Sequence, residues 1–145
     1  MTTAFLSDAQ FLEHDTGPGH PERSERLIAT LGVVEKQPWF SSLAPLSPTP
    51  VDDGWIAQIH STNYLARAEE ACRRGQPFLD TPDVSISRRS AEIARLAAGS
   101  GIVIADRLMD GEIDNGFALV RPPGHHAETE TALGFCLFNN IAILA

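Results

Sequence analysis

Short apolar runs alternate along the chain with segments whose apolar residues recur at helical spacing, which is typical of an α/β protein. Two of these runs, Thr3–Leu6 and residues 116–120, predict β-strands, and the unbroken apolar sequence of the second predicts burial on both faces. A weaker strand is predicted around residues 43–46, where prolines would confine it to a sheet edge. The pattern thus predicts a short parallel sheet of about three strands flanked by helices.

Helical spacing and end signals predict the helices between these strands. Pro21 would open the first, with Glu22 in its first turn facing the positive end of the helix dipole, and Pro38 would end it. Ser61 and Gly75 would cap a helix over residues 62–74. The other predicted helices are a short one at residues 55–59, a long one at residues 88–109 after Ser87, and one that starts at residue 135.

Composition narrows the class of protein. The 145 residues suit a single domain, without repeats or linkers, and 43% hydrophobic with 21% charged residues is typical of a soluble globular protein. A net charge of −8 argues against a nucleic-acid surface and is compatible with a cationic amine or lysine ligand, although many soluble enzymes are simply acidic.

The compartment is predicted from the cysteines and the apolar runs. Cys72 and Cys136 form no disulfide or zinc-ligand pattern, which favours a reducing compartment. The N-terminal residues do not resemble a signal peptide, and no apolar run approaches the roughly 20 residues that span a bilayer. We therefore expect a cytoplasmic protein that does not enter a membrane.

The most distinctive stretch is Leu-Val-Arg-Pro-Pro-Gly-His-His-Ala at residues 119–127. It places His125 and His126 just after a predicted strand, where ligands bind in open α/β sheets. Imidazoles titrate near neutral pH, so a neighbouring pair suits a reaction that needs a base for water and an acid for a leaving amine, such as amide hydrolysis. An isolated pair is more often a hydrogen-bonded loop element or a chance surface pair, but the Pro-Pro-Gly before it and the Gly-Phe at residues 134–135 favour a site.

Amide hydrolysis is commonly assisted by a metal ion, which activates water and stabilises the oxyanion. A catalytic zinc typically has three His, Asp or Glu ligands, and the histidines available besides the pair are His14, His20 and His60. None of them forms a cluster with ligand spacing. His20 fits a loop anchor equally well, and His60 is expected to be a buried structural hydrogen-bonding residue. The residues themselves therefore predict no zinc site.

Residues 121–127 together with Gly-Phe-Cys-Leu-Phe-Asn-Asn-Ile-Ala at residues 134–142 resemble the tandem-histidine segment of the zinc-dependent histone deacetylase family. That family includes bacterial histone-deacetylase-like amidohydrolases and acetylpolyamine amidohydrolases. Segments within residues 14–27, 59–65 and 90–99 match it in the same order. The resemblance implies part of the three-layer arginase/deacetylase fold and hydrolysis of N-acetyl or N-acyl amides of lysine or small, polyamine-like amines.

The resemblance also implies roles for individual residues. His125 would be the general acid or electrostatic partner, and His126 would be the base that takes a proton from zinc-bound water. Gly134 and Phe135 would line the tunnel for the acyl-amine chain. His20, in a loop that shapes the rim, would also contact substrate.

The family's zinc ligands, an Asp-x-His and a later Asp, would lie beyond Ala145, as would its catalytic tyrosine. The resemblance therefore implies that residues 1–145 are a single but incomplete domain. Zinc would belong to the complete enzyme, whereas this chain alone is expected to hold no metal and to be inactive. Two alternatives remain. The chain could be a non-catalytic protein that forms a homo-oligomer through the exposed edge of the motif strand and the apolar last helix, or one piece of a split enzyme that a C-terminal fragment completes.

Overall fold

The computed structural model describes residues 1–145 and contains a parallel sheet of three strands. These are β1 (Thr3–Leu6), β2 (Ala44–Leu46) and β3 (Asn115–Ala118), in the order β2–β1–β3. Leu6 of β1 lies opposite Leu46 on one side and Ala118 on the other. The predicted fold class, the parallel sheet and the edge position of the second strand are all confirmed.

The chain also contains five α-helices. They are α1 (Ser24–Val34), α2 (Asp53–Ile56), α3 (Thr62–Arg74), α4 (Ser90–Met109) and α5 (Asn140–Leu144), with short 3-10 turns at Ala9–Glu13 and Phe40–Ser42. α3 has the predicted bounds, because the Ser61 side chain accepts a hydrogen bond from the Tyr64 amide and Gly75 takes the left-handed conformation that ends a helix. None of the five helices combines the length and the apolar character that a membrane-spanning segment requires.

The long helix α4 separates two apolar clusters. Its Ile93, Leu96 and Ile104 pack with Ala4 and Leu6 of β1 in the cluster against the sheet. Its opposite side contributes to a larger cluster with α3 and the C-terminal segment; the α4 members of that cluster are Ala91, Ala94 and Ala98. The helix is therefore covered on both sides, and it holds the sheet and the C-terminal loop in one unit.

Two helix starts, those of α1 and α5, differ from the prediction by three residues or more, whereas those of α2 and α4 differ by two. α1 starts at Ser24 rather than Pro21, because Glu22 is buried and bonded to Arg121 instead of lying in a first helical turn. α5 starts at Asn140 rather than at residue 135, because Phe135 has a φ of +69°, which no α-helix accommodates. Asn139 caps α5 by accepting a hydrogen bond from the Ala142 amide.

The expectation that residues 116–120 form a strand buried on both faces is wrong. β3 pairs only with β1, and Phe117 is 57% exposed. Its ring stacks on Phe5, and the edge of Phe40 contacts the same Phe5 ring. On the face opposite α4, the sheet is therefore covered only in part, by an aromatic cluster.

Candidate active site

The turn that carries the two histidines is fixed at both of its ends. Beyond β3, the Leu119 amide still bonds to the carbonyl oxygen of Leu6, 2.8 Å away, so the chain leaves the sheet only after that residue. At the other end, the carbonyl oxygen of Gly124 accepts the Ile141 amide at 3.0 Å. A side chain at Gly124 would collide with Asn140, so the turn and the start of α5 pack together only because this residue is glycine.

His125 and His126 project from this turn side by side. Their ring centroids are 4.2 Å apart with an angle of 51° between the planes, and both residues are exposed. The His125 amide points towards the Cys136 sulfur, 3.5 Å away, which connects the pair to the loop that follows. The two imidazoles are thus adjacent at the carboxyl end of β3 and open to solvent.

Gly134 lies against the His126 ring, and both Gly134 and the next residue, Phe135, have positive φ angles, +56° and +69°. A Cβ atom at Gly134 would stand 2.6 Å from the His126 ring, so only glycine allows this contact. The Phe135 ring meets His20 edge to face at a centroid distance of 5.0 Å. Contacts therefore connect His126 to Gly134, and Phe135, the next residue in the chain, to His20.

His20 is also anchored within its own loop. One of its ring nitrogens lies 2.8 Å from the Glu22 carbonyl oxygen and the other 3.1 Å from that of Asp83. His20 therefore anchors its loop, as one interpretation of the sequence predicted. It also contacts Phe135, one of the candidate site residues.

Beneath the turn lies a buried charged cluster that the sequence did not predict. Arg121 donates to both carboxylate oxygens of Glu22, at 2.5 and 2.9 Å, and to the carbonyl oxygen of Phe11 at 3.2 Å. Both charged side chains are 1% exposed. His14 completes the cluster, with its ring 2.7 Å from the Ser90 hydroxyl and 3.5 Å from Glu22.

Electrostatics keep His14 neutral in this cluster. Burial is the largest cause and lowers the pKa of His14 to about 4, while the Glu22 carboxylate acts in the opposite direction. The available sequence signals were an arginine at the end of an apolar strand and a glutamate directly after a proline. Neither signal identifies its partner, because the two residues are 99 positions apart.

His60 has the structural role expected from the sequence. It is 1% exposed, and its Nδ1 donates to the Glu128 carbonyl oxygen at 2.8 Å while its Nε2 accepts the Asn139 amide at 2.9 Å. Burial lowers the pKa of His60, which favours the neutral ring that these two bonds require.

The residues of this chain do not fit a zinc ion. Among residues 1–145, no group of three or more His, Cys, Asp or Glu side chains is placed to hold a metal. Ring nitrogens of His14, His20 and His60 already bond to Ser90 or to backbone groups. What the structure brings together is an exposed pair of imidazoles, with Gly134 packed against the second of them.

Comparison with known proteins identifies the family. The model of the histone deacetylase domain matches residues 20–145. The chain belongs to the histone deacetylase domain family. Similar family members are an uncharacterized protein of Synechocystis, 39% identical over 98% of this chain, and a histone deacetylase-like amidohydrolase of Pseudomonas aeruginosa, 34% identical over 97%.

A solved histone deacetylase structure has the same fold. The crystal structure of the HDA15 HD domain superposes with a TM-score of 0.87 and 33% identity over 99% of this chain. The chain spans less than half the length of these proteins: 47% of the Synechocystis protein, 41% of the Pseudomonas protein and 42% of the HDA15 chain.

Proposed function

We propose that this chain supplies the proton-transfer half of a deacylase that hydrolyses N-acetyl or N-acyl amides of lysine or small, polyamine-like amines. The observation that carries the proposal is the exposed His125–His126 pair at the carboxyl end of β3, with Gly134 against the His126 ring and Phe135 next to Gly134 in the chain. The name of the Pseudomonas relative, a histone deacetylase-like amidohydrolase, supports the same class of reaction.

The geometry suits a division of labour between the two imidazoles. In this scheme His126 takes a proton from the attacking water, and His125 acts as the general acid or electrostatic partner that serves the departing amine nitrogen. Rings 4.2 Å apart can reach both ends of one scissile amide bond. The edge-to-face pair of Phe135 and His20 would border the aliphatic chain that carries the acyl group.

Zinc belongs to this proposal only as part of the complete enzyme. When bound there, it would polarise the substrate carbonyl and activate the water. We propose that its ligands and the catalytic tyrosine come from polypeptide outside residues 1–145, and that residues 1–145 alone are inactive. An apolar groove of about 320 Å³ between α4, β3 and α5 supports this idea, because it reaches His125 and lies along the unpaired edge of β3.

A second candidate is a non-catalytic protein that folds as a homo-oligomer. The observation in its favour is the exposure of Phe117 on β3 and Ile141 on α5, which are 57% and 62% exposed. A second copy that covers these side chains would explain them without any catalytic role.

The proposed substrate and compartment follow from charge and cysteine chemistry. The net charge of −8 supports a cationic amine substrate rather than nucleic acid. Cys72 and Cys136 are buried and unpaired, which suits a reducing cytoplasm.

The test separates the two candidates. Residues 1–145 are assayed with acetyl-lysine peptides and acetylated polyamines, alone and after assembly with a C-terminal segment bearing Asp-x-His and a tyrosine, with zinc present. We expect activity only in the assembly, and His126→Ala should abolish it while Glu35→Gln on α1's exposed end should not. Silence after verified assembly would contradict the deacylase proposal, and a stable homo-oligomer in light scattering would favour the alternative.

A further inference from the structure

The segment that follows the histidine pair is a closed loop with a defined neck. Residues 127–139 begin immediately after His126 and carry Gly134 and Phe135. At the neck, the Asn139 side-chain amide donates to the Ala127 carbonyl oxygen at 2.9 Å, so the two ends of the loop touch. Compact loops of this kind have ends that lie close together. Whatever holds the neck therefore sets the position of Gly134 relative to His126.

His60 reaches this neck from outside the loop. Its Nδ1 donates to the Glu128 carbonyl oxygen on one side, and its Nε2 accepts the Asn139 amide on the other, at 2.8 and 2.9 Å. The bond from a backbone amide to Nε2 requires that nitrogen to carry no proton, so the ring proton must sit on Nδ1. The His60 imidazole therefore connects the two ends of the loop, at Glu128 and at Asn139.

The ring itself is held by packing. It stacks on Tyr64 at a centroid distance of 5.1 Å and contacts Phe138 at 5.7 Å, and the residue is 1% exposed. Contacts from outside also hold the body of the loop. Three of these groups donate hydrogen bonds to carbonyl oxygens of the loop: the Tyr64 hydroxyl to Leu137, the Arg67 guanidinium to Glu130 and the Ser61 amide to Thr129. The Asp80 carboxylate accepts a hydrogen bond from the Ala132 amide. Among the groups that contact the loop from outside, only His60 bonds to both sides of the neck.

We propose that His60 is a positioning residue: in its Nδ1–H tautomer it closes the neck of the 127–139 loop and thereby holds Gly134 against His126. Its significance for catalysis rests on the proposed function, because His126, Gly134 and Phe135 are assigned to the site there. The geometric claim stands on this chain alone. The proposal places a buried histidine of the α2–α3 connection behind the loop, so that it acts on the site through the backbone of that loop.

The first measurement is the tautomer of His60 in the folded chain, read from the ¹⁵N shifts of its ring at neutral pH. The proposal expects the proton on Nδ1, although free imidazole side chains favour Nε2. A ring proton on Nε2 would overturn it. This measurement needs no variant, so it can overturn the proposal even if every substitution at this position unfolds the protein.

The second measurement compares two substitutions. His60→Phe keeps an aromatic ring for Tyr64 and Phe138 but removes both hydrogen bonds, whereas the amide of His60→Gln can still donate and accept. We expect the exchange protection of the Asn139 amide to fall about tenfold or more in the Phe variant. The resonances of His126 and Phe135 should move with it, and the Gln variant should restore both. Gln58→Ala, an exposed change two residues away, is the control.

Unchanged Asn139 protection and unchanged His126 resonances in a folded Phe variant would overturn the proposal. If Gln failed to restore what Phe disrupts, a role in packing alone would explain the result and the proposal would fail. These readouts do not involve turnover. An assembled enzyme that lacks activity while the spectra behave as expected would therefore reject the proposed function and leave the role of His60 intact.

Discussion

Two charged or ionisable regions lie a few residues apart at the end of β3, and their surroundings are opposite. Arg121 is 1% exposed and makes three hydrogen bonds, two to Glu22 and one to Phe11. His125 and His126 are exposed, and their side chains have no hydrogen-bond partner. A buried group with all of its partners in place holds the structure together, whereas an exposed pair of titratable groups is free to bind and exchange protons. The buried region stabilises the fold, and the exposed pair is the region to which we assign the proposed proton transfer.

Removing one side of the buried pair should have the largest effect. Arg121→Met leaves the Glu22 carboxylate buried without its cation, which should lower the free energy of unfolding by about 3–5 kcal/mol. Urea unfolding followed by circular dichroism measures this. Arg107→Met, which breaks the exposed pair with Glu112, is the control and should change the midpoint far less. Equal losses in the two variants would show that burial does not set the strength of the Arg121 pair.

Acid should weaken the same region through His14. Its folded pKa of about 4 lies below the ordinary 6.5, so the unfolded chain binds the proton more readily. The stability that neutral His14 contributes is present above about pH 6.5 and is lost as the pH falls towards 4, by about 3 kcal/mol. Glu22, Arg121 and His20 are the charged or titratable groups that face it.

The measurement is urea unfolding at pH 7 and pH 4.5 for the wild type and for His14→Gln. We expect the wild type to lose markedly more stability between these pH values than the variant, which has no imidazole to protonate at this position. Parallel losses would mean that His14 is not the group responsible.

A smaller loss of stability is expected from a substitution at Gly134, where the 127–139 loop contacts His126. Gly134→Ala places a Cβ atom against the His126 ring at a positive φ, which should cost about 2 kcal/mol. Gly111→Ala is the matched control, since φ there is +70° but nothing lies within 4 Å of the added atom. Only Gly134→Ala should also shift the ring resonances of His126. A shift in both variants, or in neither, would contradict the contact.

The smallest effect on stability is expected in the exposed pair. His126→Ala should change the free energy of unfolding by less than about 0.5 kcal/mol, because the ring is exposed and bonds to nothing. In the assembled enzyme the same change should abolish turnover. A large loss of stability would mean that the pair is structural, and the contrast with Arg121 would disappear.

The elements that were predicted well depend on neighbours in the sequence. α3 has the expected bounds because Ser61 and Gly75 act within one turn of its ends. The adjacency of His125 and His126 likewise required nothing beyond the chain itself. The resemblance of residues 121–127 and 134–142 to histone deacetylases was confirmed by the family match to residues 20–145.

The predictions that failed were those in which a distant partner outweighed a local signal. Pro21 and Glu22 form a good helix start, yet Glu22 bonds to Arg121 instead and the helix starts at Ser24. The apolar residues of β3 predicted burial on both faces, but burial depends on which strands and helices lie alongside, and Phe117 stays exposed. The start of α5 depended on the positive φ angles at residues 134 and 135.

By itself, the sequence determined the class of fold, the order of strands and helices along the chain, and the pair of histidines after a strand. These features follow from the period of apolar residues and from short-range caps and turns. Only the tertiary structure decided that Arg121 and Glu22 are paired and buried, that His20 meets Phe135, and that His60 closes the neck of the loop. Each of these contacts joins residues that are far apart in the chain. Their free energy exists only when packing removes water and brings both partners within hydrogen-bonding or van der Waals distance.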